Sequence, residues 1–449
     1  MHTTPAYRPD RAAPGDSAGG ASSHHLLGAT IALVLAGGRG TRLKQLSEHR
    51  AKPAMPFAGN LKVIDFTLSN CINSGLRRVA VLTQYKAQTL IRHVTRGWGF
   101  LDASLGEFID VVPAQQRIDA GWYAGTADAV YQNLDMLRQA APRYVVILAG
   151  DHVYKMDYSV MLAEHARRGA DLSIACLEVP VETASAFGVM RVNEAGRVIE
   201  FQEKPSQPAC LPGRRGQALA SMGIYIFNAE FLYAELLRDA ARTDSFHDFG
   251  GDIIPRALVR GRVHAHDFKA SCVSRTSELP YWRDVGTLDA YWEANIDLIS
   301  THPELDLYDD EWPIRSLQHQ LPPSKFVLDD EGRPGIAIDS LVAAGCIVSG
   351  AQVRRSVLFS KVRIAEGSEI SDSLLLPGAQ IGRNVVIRRA IIDKRCVVPD
   401  NLQIGVNPTE DRRHFTVSEK GVTLVTPDMI AQCTKHRGCA SATSMSLAV

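Results

Sequence analysis

Cysteine is scarce and unpatterned: eight in 449 residues, at Cys71, Cys176, Cys210, Cys272, Cys346, Cys396, Cys433 and Cys439. No C-x-x-C occurs and the spacing is irregular, which argues against a secreted disulfide framework or a zinc site and for reduced thiols in a cytoplasmic protein. Net charge is also lacking. Lys plus Arg number 49 and Asp plus Glu number 49, so 49 − 49 leaves zero before histidine. Such a chain has no general pull toward nucleic acid or acidic membranes, and neither is expected as a partner. Long apolar runs are missing too. The best, Ile31 to Ala36, falls far short of the roughly 20 residues of a membrane span and reads as a buried strand. Met1 to His25 has no apolar stretch of the signal-peptide kind, so residues 1–27 are expected to form a flexible tail. What the chain has is a folded composition, 45% hydrophobic and 22% charged, at a length suited to two or three domains.

Two textures divide the remainder. From 28 to 300, short β-branched runs (Ile31–Leu35, Val79–Thr83, Tyr144–Leu148, Leu172–Leu177, Ile224–Phe227) alternate with amphipathic stretches such as Ala127–Leu137 and Tyr158–Ala166. That alternation predicts an α/β unit: a mostly parallel, Rossmann-like mixed sheet covered on both faces, with ligands at the carboxyl ends of its strands. Residues 301–340 carry five prolines, at 303, 313, 322, 323 and 334, and read as a linker. From 341 to 437 a repeat sets in. Leu341, Leu358, Leu375 and Ile392 are 17 residues apart, as are Ile347, Ile364, Ile381 and Val398, and Val353, Ile370, Ile387 and Ile404. Three aliphatic columns in step predict a left-handed parallel β-helix of hexapeptide type, which cannot bury its inward residues one coil at a time. Residues 438–449 read as a tail.

Several motifs could carry chemistry. Leu35-Ala36-Gly37-Gly38-Arg39-Gly40-Thr41-Arg42-Leu43 follows a strand and precedes a predicted helix. Its glycines would let backbone N–H groups approach phosphate, and Arg39 and Arg42 add cationic forks. It is neither a dinucleotide fingerprint, because Leu43 stands where glycine is required, nor a Walker A loop, because no Gly-Lys-Ser/Thr follows. Lys52-Pro53 offers a fixed cation for a phosphate in transfer. Asp151, after the strand Ile147–Ala149, suits a Mg²⁺ ligand or a helix cap. Asp284, in Tyr281-Trp282-Arg283-Asp284-Val285-Gly286-Thr287, is a second acidic group, and nothing local to either aspartate places the two together. Phe201-Gln202-Glu203-Lys204-Pro205, Gln115-Gln116 and Trp122 to Asp128 offer polar and aromatic groups for a sugar or a base. Asp248-Phe249-Gly250 spells a kinase magnesium motif without the other kinase loops, and is set aside.

Taken together, LVLAGGRGTRL (33–43), AKPA (51–54), PAQQR (113–117), WYAGTADAV (122–130), ILAGDH (147–152), ASAFGVM (184–190), EKP (203–205), SMGIY (221–225) and YWRDVGT (281–287) resemble the sugar-nucleotide pyrophosphorylases. Within them the likeness is to the bacterial glucose-1-phosphate adenylyltransferases, and it runs from about 33 to 429. The resemblance implies transfer of the adenylyl group of ATP to glucose 1-phosphate, giving ADP-glucose and pyrophosphate for glycogen synthesis. It implies Mg²⁺ held by Asp151 and Asp284. Arg39 and Lys52 would act with Asp151 at the reacting phosphates, and Gly37, Gly38, Gly40, Gln115 and Gly125 would contact the nucleotide. Tyr123, Gly188, Glu203, Lys204 and Ser221 would line the sugar site. It further implies a homotetramer under the control of anionic sugar-phosphate or nucleotide effectors, reaching His49, Arg50, Lys62 and Lys394. There this chain departs from its enteric relatives: His49 replaces their lysine, Pro56 their effector-site histidine, and Lys62, Gln139 and Lys394 their inhibitor-binding arginines.

Three alternatives remain open to the residues. A UTP-, dTTP- or GTP-using transferase is disfavoured by WYAGTADA. A silent regulatory subunit would be expected to lose Arg39, Lys52 or Asp151, and all are present. An acyltransferase would need a catalytic histidine in the β-helix, and none stands within 341–405.

Overall fold

The computed structural model describes residues 24–38, 41–84, 86–114, 122–211, 213–214, 216–274 and 279–435. The expected site residues Arg39, Gly40 and Gln115 lie outside these. The catalytic-half strands order as Val198–Glu203, Gly188–Val192, Gln217–Asn228, Tyr144–Ala149, Thr30–Leu35, Arg78–Thr83 and Phe108–Pro113. Pairing is parallel from Tyr144–Ala149 through Phe108–Pro113. It turns antiparallel at Gln217–Asn228, where Leu172–Pro180 also joins, itself paired in parallel with Val263–Asp267. This is the expected mixed sheet. Alternation explains its burial. Ala32 and Val34 enter one apolar cluster while Ile31 and Leu33 enter the other, and Val146 and Leu148 part from Val145 and Ile147 in the same way. With both pleat faces buried, the strands read as unbroken apolar runs.

The C-terminal half is a three-faced parallel β-helix, its faces being ladders of short strands that each pair with the strand one coil on. Leu358, Leu375 and Ile392 align, as do Val353, Ile370, Ile387 and Ile404. The first rung differs from expectation. Val342 pairs with Leu358 and Val348 with Ile364, leaving Leu341 opposite Val357 and Ile347 opposite Arg363. From Val348 to Val353 the first coil has one residue fewer than from Ile364 to Ile370, so it advances by 16 (358 − 342).

Other boundaries also shift. Residues 24–28 form a helical turn whose Leu26 and Leu27 pack on the sheet core, so the fold begins inside the expected tail. The expected linker 301–340 is shorter, because Lys325–Val327 and Ile336–Ile338 already pair into the first coil. What precedes them is a strap across the helix Val63–Asn73, with Asn73 Nδ2 donating to the Pro313 carbonyl, Trp312 Nε1 to Asn70 Oδ1, and the Arg315 amide to Ser69 Oγ. The expected helix 127–137 is two, Thr126–Tyr131 and Leu134–Ala140. After Ile404 a helix, Pro408–His414, and a hairpin of Thr416–Val417 with Thr423–Val425 close the β-helix.

The halves share an apolar cluster in which Phe57, Leu288 and Tyr291 meet Phe359, Leu376 and Leu424. Trp292 donates through Nε1 to the Asp372 carbonyl at 2.8 Å, and the Arg389 guanidinium lies 4.3 Å from its ring centre. Ser418 Oγ and Lys420 Nζ donate to Asp289 and Glu293 on the helix Leu288–Ile296, tying the terminal hairpin to the segment just after Asp284.

Candidate active site

A cleft of about 730 Å³ opens at the carboxyl ends of the parallel strands. Its floor is ionic. Asp151 follows the strand Tyr144–Ala149 and leads into a second strand, His152–Tyr154, so it is not a helix cap. That short strand pairs antiparallel with Trp282–Asp284, setting Asp284 opposite His152. This pairing unites two aspartates 133 positions apart (284 − 151). Between them lies Lys52, 2.8 Å from Asp151 Oδ2 and 2.5 Å from Asp284 Oδ1. Arg42 Nη2 reaches Asp284 Oδ2 at 3.2 Å. Burial alone would lower the Lys52 ammonium and raise the carboxyls, but mutual attraction outweighs it. Lys52 is held above its ordinary value, Asp151 is pushed down to about 2 and Asp284 is lowered.

His152 lies against the ring of Trp282, 4.9 Å between centres, with Nε2 3.6 Å from Asp151 Oδ1. Burial outweighs the pull of Asp151 and lowers its pKa, which favours the neutral imidazole. Asp151, His152 and Asp284 offer ligand atoms within 4.8 Å of one another. A metal-ligating histidine ordinarily donates its other ring N–H to an acceptor, and buried His152 Nδ1 has no partner among the described residues. The donors that fit are therefore the carboxylate oxygens, a hard pair suited to Mg²⁺ beside phosphate.

Gly37, Gly38 and Gly125 line the cleft. A Cβ on Gly37 would come within 3.2 Å of Gln84 Cβ. At Gly125 a Cβ would sit 2.3 Å from the His247 carbonyl oxygen. The helix expected after the glycine loop, Thr41–Ser47, is a 3₁₀ segment kinked at Lys44, whose φ is 51°. Glu203 also lines the cleft, wedged where side chains on Gly188 or Gly250 would collide with it. Lys204 donates to Glu203 Oε1 at 2.7 Å, projects largely into solvent and adopts a left-handed φ of 46°. Ser221 is buried at the irregularity of Gln217–Asn228, its Oγ accepting from the Gly223 amide. Tyr123 lines the cleft, and its hydroxyl accepts from Asn133. Gly188, Lys204 and Ser221 border Glu203 or its strands without lining the cleft itself.

Sequence reasoning missed part of the wall. Asp248, Phe249 and Gly250, set aside as an accidental kinase string, line the cleft. Asp248 Oδ2 accepts from Thr126 Oγ1, which in turn accepts from the Phe249 amide. Gln84 was missed as well, and Tyr225 and Gly286, inside quoted motifs, had been given no role. The signal available for Asp248 was its cap-like place before Gly250-Gly251, where its carboxylate accepts from the Gly251 amide.

At the boundary of the halves, Arg50 is largely enclosed and donates to both oxygens of Asp393 at 2.7 and 2.8 Å. Lys62 donates to the Thr89 carbonyl. Burial, with Lys394, Arg50 and Arg92 near, pushes it down to about 8 despite Asp65. Lys394 is lowered by burial and by Arg395 and Arg50. Three of the four residues expected to meet effectors thus form one cationic group. His49 stands exposed, 4.0 Å from Asp428.

The nucleotidyl transferase family matches residues 31–301, and the GlmU-like C-terminal hexapeptide family matches 322–425. Similar proteins include the glucose-1-phosphate adenylyltransferase of Nitrosospira multiformis, 58% identical over 90% of this chain and 95% of the relative. That of Nitrosomonas europaea is 60% identical over 90% of this chain and 94% of its own length. That of Dechloromonas aromatica is 56% identical over 91% and 93%. With such identity across both halves and an ionic cleft where the nucleotidyl transferase match lies, the chain belongs to the glucose-1-phosphate adenylyltransferase family.

Proposed function

We propose that this protein transfers the adenylyl group of ATP to glucose 1-phosphate, releasing pyrophosphate and forming ADP-glucose. The observation that carries the reading is Lys52 between Asp151 and Asp284, in one cleft with the glycine-rich segment and Glu203. The sugar-phosphate oxygen arrives ionised, so no general base is required, and the protein's task is alignment and charge stabilisation. Gly37 and Gly38 leave backbone room for the triphosphate, and the resemblance alone assigns Arg39, Gly40 and Gln115, which lie outside the described residues, to the nucleotide. Lys52 grips the reacting phosphates. Glu203 accepts from sugar hydroxyls, and Lys204 holds the phosphate of glucose 1-phosphate. Asp151 and Asp284 would hold Mg²⁺, which supplies neutralisation of charge on the phosphate oxygens.

The protein acts as a homotetramer whose activity answers to anionic effectors at Arg50, Lys62 and Lys394, in the service of cytoplasmic glycogen synthesis. No described helix is long and apolar enough to cross a membrane. The test is pyrophosphate release with Mg²⁺ and glucose 1-phosphate, comparing ATP, UTP, dTTP and GTP with and without glycolytic phosphates. ATP preference with activation by one phosphate is expected. A chain that binds ADP-glucose yet turns over no nucleotide would overturn the reading.

A further inference from the structure

The floor of the cleft carries its own counter-ions. Asp151 and Asp284 contribute two negative charges, and Lys52 and Arg42, bonded to them, contribute two positive ones. The sum is neutral before any ligand enters. The Lys52 side chain is only 6% exposed, so salt does little to screen it. Its ammonium takes one oxygen of each carboxylate, at 2.8 and 2.5 Å. A small divalent cation shared by the same two carboxylates needs oxygens at about 2.0–2.1 Å, in the place the ammonium fills. Of the oxygens the ammonium leaves, Asp284 Oδ2 is held by Arg42 and Asp151 Oδ1 faces His152, so metal and ammonium compete for these carboxylates.

The ammonium cannot simply withdraw. Removed from both carboxylates with no other anion at hand, it would be a buried cation without a partner. The phosphates of a nucleotide would supply that anion. The backbone is held, since Lys52 opens a short 3₁₀ turn, Lys52–Ala54, with Pro53 next to it. The exchange is then a swing of the side chain alone. Arg42 is 58% exposed and free to follow.

We propose that Lys52 is a displaceable counter-ion, filling the place between Asp151 and Asp284 in the free protein and transferring to nucleotide phosphate as metal and nucleotide enter together. The proposal rests on reading Asp151 and Asp284 as the metal carboxylates. Its consequence is selectivity of entry: the free protein resists a divalent cation that comes without nucleotide, and binding of metal and nucleotide is synergistic.

The experiment titrates the full-length chain with Mn²⁺ in the absence of nucleotide, following free Mn²⁺ by electron paramagnetic resonance. Three proteins are compared: the parent, Lys52→Gln, and Lys52→Gln with Asp151→Asn. Loss of one buried positive charge beside the carboxylates should tighten Mn²⁺ binding about tenfold or more in Lys52→Gln, and Asp151→Asn should abolish the gain. Equal affinity in parent and Lys52→Gln overturns the proposal, and so does a gain that survives Asp151→Asn. Thermal melts establish that each variant is folded. Lys52→Met, which keeps the methylene packing, is read in the same way should Lys52→Gln fail to fold. No nucleotide enters the titration, so preference for a nucleotide other than ATP would overturn the proposed activity and leave this result standing.

Discussion

The contact between Arg50 and Asp393 joins the catalytic half to the β-helix, and its cost on disruption follows from its burial. The Arg50 side chain is 11% exposed and that of Asp393 is 6% exposed. Both carboxylate oxygens accept from Arg50 Nη2, while Nη1 is buried with no partner among the described residues. Neutralising one member strands the other charge. Asp393→Asn should therefore cost about 3–5 kcal/mol, as should Arg50→Met. Replacing both by apolar residues removes the desolvation penalty with the attraction, so Arg50→Met with Asp393→Leu should cost far less than the singles combined. Urea unfolding measures this. At a slope of about 2–3 kcal/mol/M, each single replacement lowers the midpoint by roughly 1–2.5 M. Trp292 is the reporter, because its indole bonds the Asp372 carbonyl across the same boundary. A single replacement costing under about 1 kcal/mol, the range of an exposed pair, would refute the reasoning. So would a double replacement whose cost equals the sum of the singles.

Three further outcomes are expected. Lys204→Gln should raise KM for glucose 1-phosphate by about 10- to 100-fold, the worth of one charge-assisted hydrogen bond, and leave KM for ATP nearly unchanged; initial rates with each substrate varied decide it. Burial pushes the Lys62 ammonium from its ordinary 10.5 down to about 8, so its charge is lost as pH rises through that range. Effector affinity should therefore fall between pH 7 and 9 in the parent and stay level in Lys62→Arg, while the same shift makes the fold gain stability from about pH 8 to 10.5. Gly125→Ala would force a Cβ to within 2.3 Å of the His247 carbonyl oxygen, so either the 246–248 segment or the helix start at Thr126 must move. ADP-glucose synthesis should fall well over tenfold with little change in unfolding midpoint of the β-helix, read by activity beside the melting curve.

Local pattern carried much of the architecture. The central strands were visible as apolar, β-branched runs because both of their faces are buried, whereas the less buried Phe108–Pro113 and Val263–Asp267 gave no such signal, and the β-helix showed itself because each coil repeats one aliphatic per face. Where the pattern misled, a small geometric detail was responsible. The first coil is one residue short between Val348 and Val353, so a fixed step of 17 picked Leu341 and Ile347 in place of Val342 and Val348. The prolines at 303–334 suggested a linker, yet a strand needs few residues once a neighbouring coil supplies its hydrogen bonds. Lys325–Val327 and Ile336–Ile338 are such strands.

The site divides along the same line. The chain's residues alone determined which chemical groups were on offer: a glycine turn with arginines, a lysine beside a proline, and two aspartates near strand ends. These are local features, set by backbone freedom and side-chain charge. Only the tertiary structure decided that Asp151 and Asp284 meet on one ammonium, because the pairing of His152–Tyr154 with Trp282–Asp284 is a long-range register that no local pattern encodes. It also decided that Asp248 joins the cleft wall through Thr126, and that Arg50 spends its charge on Asp393 rather than facing solvent. Charge and glycine are properties of a residue. Proximity belongs to the fold, and the chemistry of this cleft depends on proximity.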